Sequence, residues 1–211
     1  MDFRAPSLFK MFPKVTPRAY LNDLLDGKAE VDEVLVDMSN VVGTEGGLFI
    51  VFADPRGSSI TAMCERAMNW LWKQRALMRM ITARDELVRQ GFEYLIIDTA
   101  PGYQMYSINA IVVSDTPLLV VRYDQLDLAG TTEMLKTIYE PLQKKPLAVV
   151  NKAPAGMEVK ELESRMGLTV IATIPCFCDL LQYGSRGVFA KDYPEHAFSQ
   201  HIGKLCDALE Q

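Results

Sequence analysis

Three short segments hold the residues whose types and spacing are suited to chemistry. The first is FEYLIIDTAPG, Phe92–Gly102, an apolar run that ends in Asp98 and breaks at Pro101 and Gly102. In open α/β sheets, ligands bind outside the carboxyl ends of the strands. A carboxylate placed there can hold Mg²⁺ through water, and a following glycine lets a backbone N–H approach a terminal phosphate. An acidic turn that closes a strand and binds nothing fits the same residues. The second segment is AVVNKAP, Ala148–Pro154, where Asn151 ends another apolar run. Its amide can donate and accept at the edge of a base. Guanine readers use N-K-x-D; here Pro154 stands where that carboxylate would be, so guanine has no partner and adenine is preferred by elimination. An asparagine that closes a strand and caps a turn is the competing reading. The third segment, MDFRAPSLFKMF, places Asp2 ahead of a Pro-Ser loop and by itself says nothing.

The elements that would position these residues are legible as alternating runs. Gly47–Ala53, Tyr94–Thr99, Pro117–Tyr123, Pro146–Lys152 and Leu168–Pro175 are short and β-rich, and several are apolar at consecutive positions. Strands covered on both faces by helices read this way. Helical patterns occupy Ile60–Gln90, Tyr106–Val113, Ala129–Tyr139, Val159–Met166 and Pro194–Glu210, with Gly91 as a C-terminal stop and Pro194 as a helix start. The alternation predicts α/β architecture: a doubly wound, mainly parallel sheet with helices on both faces, in a single domain over 1–211. Trp70 and Trp72, two apart, cannot share a helix face, so one is expected in the core and the other half exposed.

Composition narrows the function classes. Hydrophobic residues make up 49% and charged residues 23%, an ordinary globular balance. A net charge of −5 gives no strong nucleic-acid signal. Lys73, Arg75 and Arg79, and Lys144 with Lys145, read as solvated positions. Cys64, Cys176, Cys178 and Cys206 read as free thiols of a reducing cytoplasm, with no run of membrane-spanning length. The closing HIGKLCDALEQ is amphipathic but not the basic, bulky helix of a membrane-targeting segment. Cys176-Phe177-Cys178 supplies two thiolates, short of a tetrahedral soft-metal set, and small-residue packing is the favoured reading. His196 and His201, five apart, do not pair on one metal and read as surface or packing residues.

Taken in order, these segments resemble the MinD/ParA/Mrp family of deviant Walker A ATPases over nearly the whole chain. MDFRAPSL resembles the family's D-x-D switch I, with Met1 and Asp2 at its last two positions, and LNDLLDGK (Leu21–Lys28) resembles the helix and turn that follow. LIIDTAPG resembles switch II, VVNK the adenine-contacting asparagine, and TIPCFCDLLQYGSRGVFA the strand, loop and helix beside the base. The resemblance implies an ATP- and Mg²⁺-dependent dimerising switch. In it Asp2 positions the attacking water, Asp98 holds Mg²⁺ indirectly, and Pro101 and Gly102 belong to switch II. Asn151 contacts adenine within its Asn-Lys pair, Lys152 beside it, while Pro175 and Phe177 pack near the base. Such proteins begin with a strand, a K-G-G-x-G-K-T loop, a helix and a second strand, about 35–40 residues by the size of such units. That segment is not in this sequence. The expectation is therefore an N-terminally truncated domain with no hydrolysis of its own, paired as a homodimer, with a related ATPase, or with a separate N-terminal fragment. A non-catalytic interaction module that keeps the dimer surface is the alternative.

Overall fold

A computed structural model describes Met1, Phe3 and residues 6–100, 105–184 and 186–210. The chain forms two compact units, Met1–Ser114 and Asp115–Gln211.

In the first unit, α1 (Leu21–Asp26) is followed by α2 (Val31–Val34), β1 (Val36–Asp37), α3 (Ser39–Val42), β2 (Phe49–Ile50), α4 (Gly57–Arg66), α5 (Trp70–Arg89) and α6 (Met105–Val113). The start of α1 is fixed by Asp23, whose carboxylate accepts from the Tyr20 N–H at 3.0 Å. Its end is fixed by Gly27 at φ 69°. Phe3, Leu25, Met63, Ala76, Met80 and Tyr106 form the core, and Phe3 and Tyr106 meet edge to face at 5.2 Å. The expected single helix over Ile60–Gln90 is two helices. Asn69 Oδ1 accepts from the Trp72 N–H at 3.1 Å and caps a new start. Trp72 enters the core edge and donates Nε1–H to Asp26 at 3.0 Å, whereas Trp70 is 62% exposed. Gly91, at φ 91°, follows the C-cap of α5 as the sequence predicts.

Gly27 predicts a mutational effect. A Cβ there would stand 1.9 Å from the Arg79 guanidinium, which donates to the Leu25 carbonyl at 2.8 Å. Gly27→Ala therefore strains a left-handed residue and displaces that bond. The expected loss is about 2–3 kcal/mol in urea unfolding. A loss under about 0.5 kcal/mol would show that neither constraint operates.

Two expected strands of this unit behave differently from the rest. Of Gly47–Ala53 only Phe49 and Ile50 pair, antiparallel to β1 (Val36↔Ile50, Asp37↔Phe49). Tyr94–Thr99 pairs with no strand among the described residues. Ile97 packs on the core, but Tyr94, Leu95 and Ile96 are 65%, 47% and 90% exposed. A strand is completed by its ladder partner, and no strand stands beside this run among the described residues.

The second unit is a parallel sheet in the order β3 (Leu118–Arg122), β4 (Leu147–Ala153), β5 (Thr169–Pro175). The helices are α7 (Gln125–Met134), which runs on as a π-helical turn at Leu135–Tyr139, then α8 (Val159–Met166), α9 (Cys178–Tyr183), α10 (Phe189–Asp192) and α11 (Ala197–Leu209). Asp124 starts α7 four residues ahead of the sequence expectation, because its carboxylate accepts from the Leu126 and Asp127 N–H groups. Pro194 precedes α11 rather than opening it. His196 is the cap, its Nδ1 accepting from the Phe198 N–H at 3.1 Å. Val121, Ala148, Val150, Leu162, Met166 and Leu168 form the core. One edge of β3 pairs with β4; the other carries no strand among the described residues, and Val120 is 64% exposed.

Candidate functional site

The register Arg122↔Asn151↔Ile174 brings the ends of three parallel strands to one edge of the second unit. Asn151 and Lys152 close β4, and Pro175 closes β5 with Phe177 two residues on. Four residues singled out in the sequence thus share the carboxyl edge of one sheet, where parallel α/β folds bind ligands. Asn151 Oδ1 accepts from the Lys152 N–H at 2.9 Å. Lys152 takes φ 55°, a left-handed conformation uncommon outside glycine, and the β4–β5 register shifts between Asn151 and Ala153. This local turn holds the asparagine amide in place and leaves its Nδ2 hydrogens for a ligand acceptor.

Phe177 is braced on several sides. Its ring meets His196 at 5.4 Å, Phe198 at 6.0 Å and His201 at 6.0 Å. Because His196 Nδ1 caps α11, its proton sits on Nε2, 3.1 Å from Asp179 Oδ2. Both histidines therefore serve packing and capping. Nearby, Tyr183 donates its hydroxyl to Asp192, and that bond pushes the phenol up to about 12. Cys176 and Cys178 are exposed, which corrects the expectation that they fill the interior. The sequence favoured packing because cysteine is usually buried, but here the two residues flank a loop beyond the sheet edge. Among the described residues, no cluster of three or more His, Cys, Asp or Glu side chains is placed to hold a metal.

Asp98 lies in the first unit, exposed at the end of the 94–99 run, which joins no sheet among the described residues. Asp2, Pro101 and Gly102 fall outside the described residues. The same unit holds a charged centre that sequence reasoning missed. Asp54, 4% exposed, accepts from Arg56 Nε and Nη2, the Arg56 N–H and the Ser59 hydroxyl, while its own N–H donates to Asn22 Oδ1 at 2.9 Å. Burial alone would raise the Asp54 carboxyl, but the bonds from Arg56 and Ser59 outweigh it and hold it below the usual carboxylate range. The spacing D-x-R-x-x-S ahead of a helix was the available signal.

Comparison with known proteins fits this layout. The family model described as an AAA domain matches residues 59–150. The sporulation initiation inhibitor protein Soj of Bacillus subtilis (strain 168) is 34% identical over 53 residues, which is 25% of this chain and 21% of Soj. Among solved structures, the cell division ATPase MinD of Pyrococcus furiosus superposes with TM-score 0.76 at 17% identity, covering 99% of this chain and 82% of that one. The septum site-determining protein MinD of Pyrococcus horikoshii OT3, complexed with Mg-ADP, gives TM-score 0.76 at 15% identity, covering 100% and 81%. The fold is that of the P-loop NTPase-like MinD proteins. The sequence similarity is confined to the matched segments, and the likeness to MinD is one of fold. Among the described residues, no helix is long and apolar enough to cross a membrane.

Proposed function

We propose that this chain is the switch-carrying and base-binding part of a MinD/ParA-type, ATP-dependent dimerising switch domain. In this reading the phosphate-binding strand, loop, helix and second strand would be supplied by a segment other than residues 1–211. The observation that carries this reading is the apolar, exposed Tyr94–Thr99 run, which joins no sheet among the described residues and brings Asp98 to its exposed end. The residues fit the ligand's chemistry: Asp98 is free to accept from Mg²⁺-bound water, Asn151 keeps its amide hydrogens, and Phe177 offers a braced ring. Bound ATP and Mg²⁺ would supply the phosphoryl group and the charge that links the switches. Asp2 would orient the attacking water. Pro101 and Gly102 would carry the switch II turn to the terminal phosphate. Asn151 with Lys152 would read adenine, and Pro175 and Phe177 would wall its flat face. Partner choice, between a second copy, a related ATPase and a separate fragment, follows from which of them carries the outside segment.

The base-reading assignment has its own test. In the chain fused to the strand–loop–helix–strand of a full-length relative, ATP should bind in preference to GTP. Asn151→Ala should weaken ATP about tenfold, the loss of roughly one good hydrogen bond in a desolvated site, with GTP unchanged. Equal weakening of both nucleotides would remove Asn151 from base recognition.

A further inference from the structure

Cys176 and Cys178 flank Phe177 and take no part in the proposed nucleotide site. The triplet joins the end of β5 to the first residue of α9, and both thiols are exposed. Phe177 between them is extended, with φ −114° and ψ 108°. Alternation along extended backbone sends its ring one way, against His196, Phe198 and His201, and the two cysteine side chains the other way. With a rise of about 3.3 Å per residue, the two Cα atoms stand about 6.6 Å apart, near the upper limit of about 6.8 Å for a disulfide. The Cβ atoms of a disulfide lie closer, at about 3.5–4.5 Å. An S–S bond can therefore close between these neighbours only if Phe177 turns away from its extended backbone angles. Cys64 is partly buried in the first unit and Cys206 is exposed on α11, and each is solitary in sequence.

We propose that Cys176 and Cys178 form a reversible dithiol–disulfide site that reacts with small-molecule disulfides, and that closing it turns Phe177 out of its aromatic packing. One thiolate attacks a sulfur of the small disulfide, forming a mixed disulfide and releasing one small thiol. The second thiolate attacks the protein-bound sulfur, closes the Cys176–Cys178 bond and releases the other small thiol. The pair gives up two electrons and two protons, and the small disulfide takes up both as two thiols. Exposure gives the reagent access, and the short spacing makes the second step intramolecular. Packing of Phe177 on three rings opposes the turn, so the oxidised form is easily reversed, as strained and exposed disulfides are. A soft metal ion is a poorer match, because two thiolates fill half a tetrahedral shell and no third ligand completes a cluster among the described residues. The thiol chemistry needs no nucleotide and stands apart from the proposed ATP site.

The test treats the reduced full chain with oxidised glutathione, blocks remaining thiols with an alkylating reagent, and maps tryptic peptides by mass spectrometry. Residues 166–186 form one tryptic peptide that carries Cys176 and Cys178 and no other cysteine, while 205–211 carries Cys206 alone. The first peptide should lose two hydrogens, take up no alkylating reagent and retain no glutathione. The Cys206 peptide should hold glutathione as a mixed disulfide and serves as the solitary-thiol control. Cys176→Ser and Cys178→Ser should each leave glutathione on the remaining cysteine, at least about tenfold more of it than the wild type retains there. Excess dithiothreitol should restore both thiols. His196 and His201 are the chain's two histidines, both packed on Phe177, so their imidazole proton signals report its ring position. Oxidation should move both signals, and reduction should return them. Glutathione retained on the wild-type 166–186 peptide, a bond from Cys176 or Cys178 to Cys64, Cys206 or a second chain, or no reaction at all would overturn the site. Closure with both imidazole signals unmoved would overturn the turn of Phe177.

Discussion

Fusing the strand–loop–helix–strand segment of a full-length relative ahead of residue 1 should raise the thermal midpoint by about 10 °C or more. The exposed Tyr94, Leu95 and Ile96, and Val120 on the free edge of β3, are the surfaces the added strands would cover. Burying one such side chain contributes about 1.5–3 kcal/mol, and the backbone groups of residues 94–99 gain ladder partners at the same time. Conformational ordering of the new segment offsets part of this, leaving a net of about 3–5 kcal/mol. For a domain of this size each kcal/mol shifts the midpoint by about 2–4 °C. Covalent fusion is the right format, because a separate fragment also loses translational and rotational freedom, about 4–15 kcal/mol on association. Light scattering of the unfused chain should show self-association that fusion suppresses, since an apolar unpaired strand is a template for pairing. An unchanged midpoint together with unchanged scattering would mean that these surfaces are not awaiting strands.

Asp54→Ala should be the most damaging point substitution at a charged position in the first unit. It leaves the Ser59 hydroxyl and the Arg56 N–H without their carboxylate acceptor, while the backbone N–H of residue 54 still donates to Asn22. Arg56 is 68% exposed in its side chain and returns to water, which limits the loss to about 1–3 kcal/mol, or a midpoint lowered by several degrees. The pH dependence identifies the cause. Because the folded-state carboxyl is held below its unfolded value of about 3.9, its contribution is fully present above that pH. It is lost as pH falls through the folded value. The gap between wild type and variant should therefore be constant from pH 7 to pH 5 and close on further acidification. A gap that does not narrow as pH falls below the unfolded value of about 3.9 would assign the effect to packing rather than to the ionised carboxylate.

How far the sequence reached depended on the range of the interaction involved. Helix α8 was read over Val159–Met166, the bounds it has, because its apolar positions and Gly167 stop are local. Gly91 and the opposite fates of Trp70 and Trp72 were legible for the same reason. The break at Asn69 was hidden, since helical spacing of apolar residues continues across it while one side-chain bond to Trp72 restarts the helix. The Pro194 start failed similarly: His196 supplies a cap that proline cannot. Tyr94–Thr99 has the composition of a strand, but pairing belongs to a neighbour and cannot be read within the run. At the site, the edge shared by Asn151, Lys152, Pro175 and Phe177 was implied by strand order alone. The bracing of Phe177 by two histidines and the burial of Asp54 depend on residues distant in sequence. The two cysteines were misplaced because burial frequency says nothing about a particular loop.

The most direct test of the central claim is calorimetric titration of ATP into the chain with and without the fused segment, in the presence and absence of Mg²⁺. The chain alone should give no measurable heat. The fused form should bind ATP with a strong dependence on Mg²⁺, and Asp98→Ala should abolish that dependence while leaving the thermal midpoint in place. Mg²⁺-dependent ATP binding by residues 1–211 alone, lost in Asp98→Ala, would contradict the account and require a phosphate site within this chain.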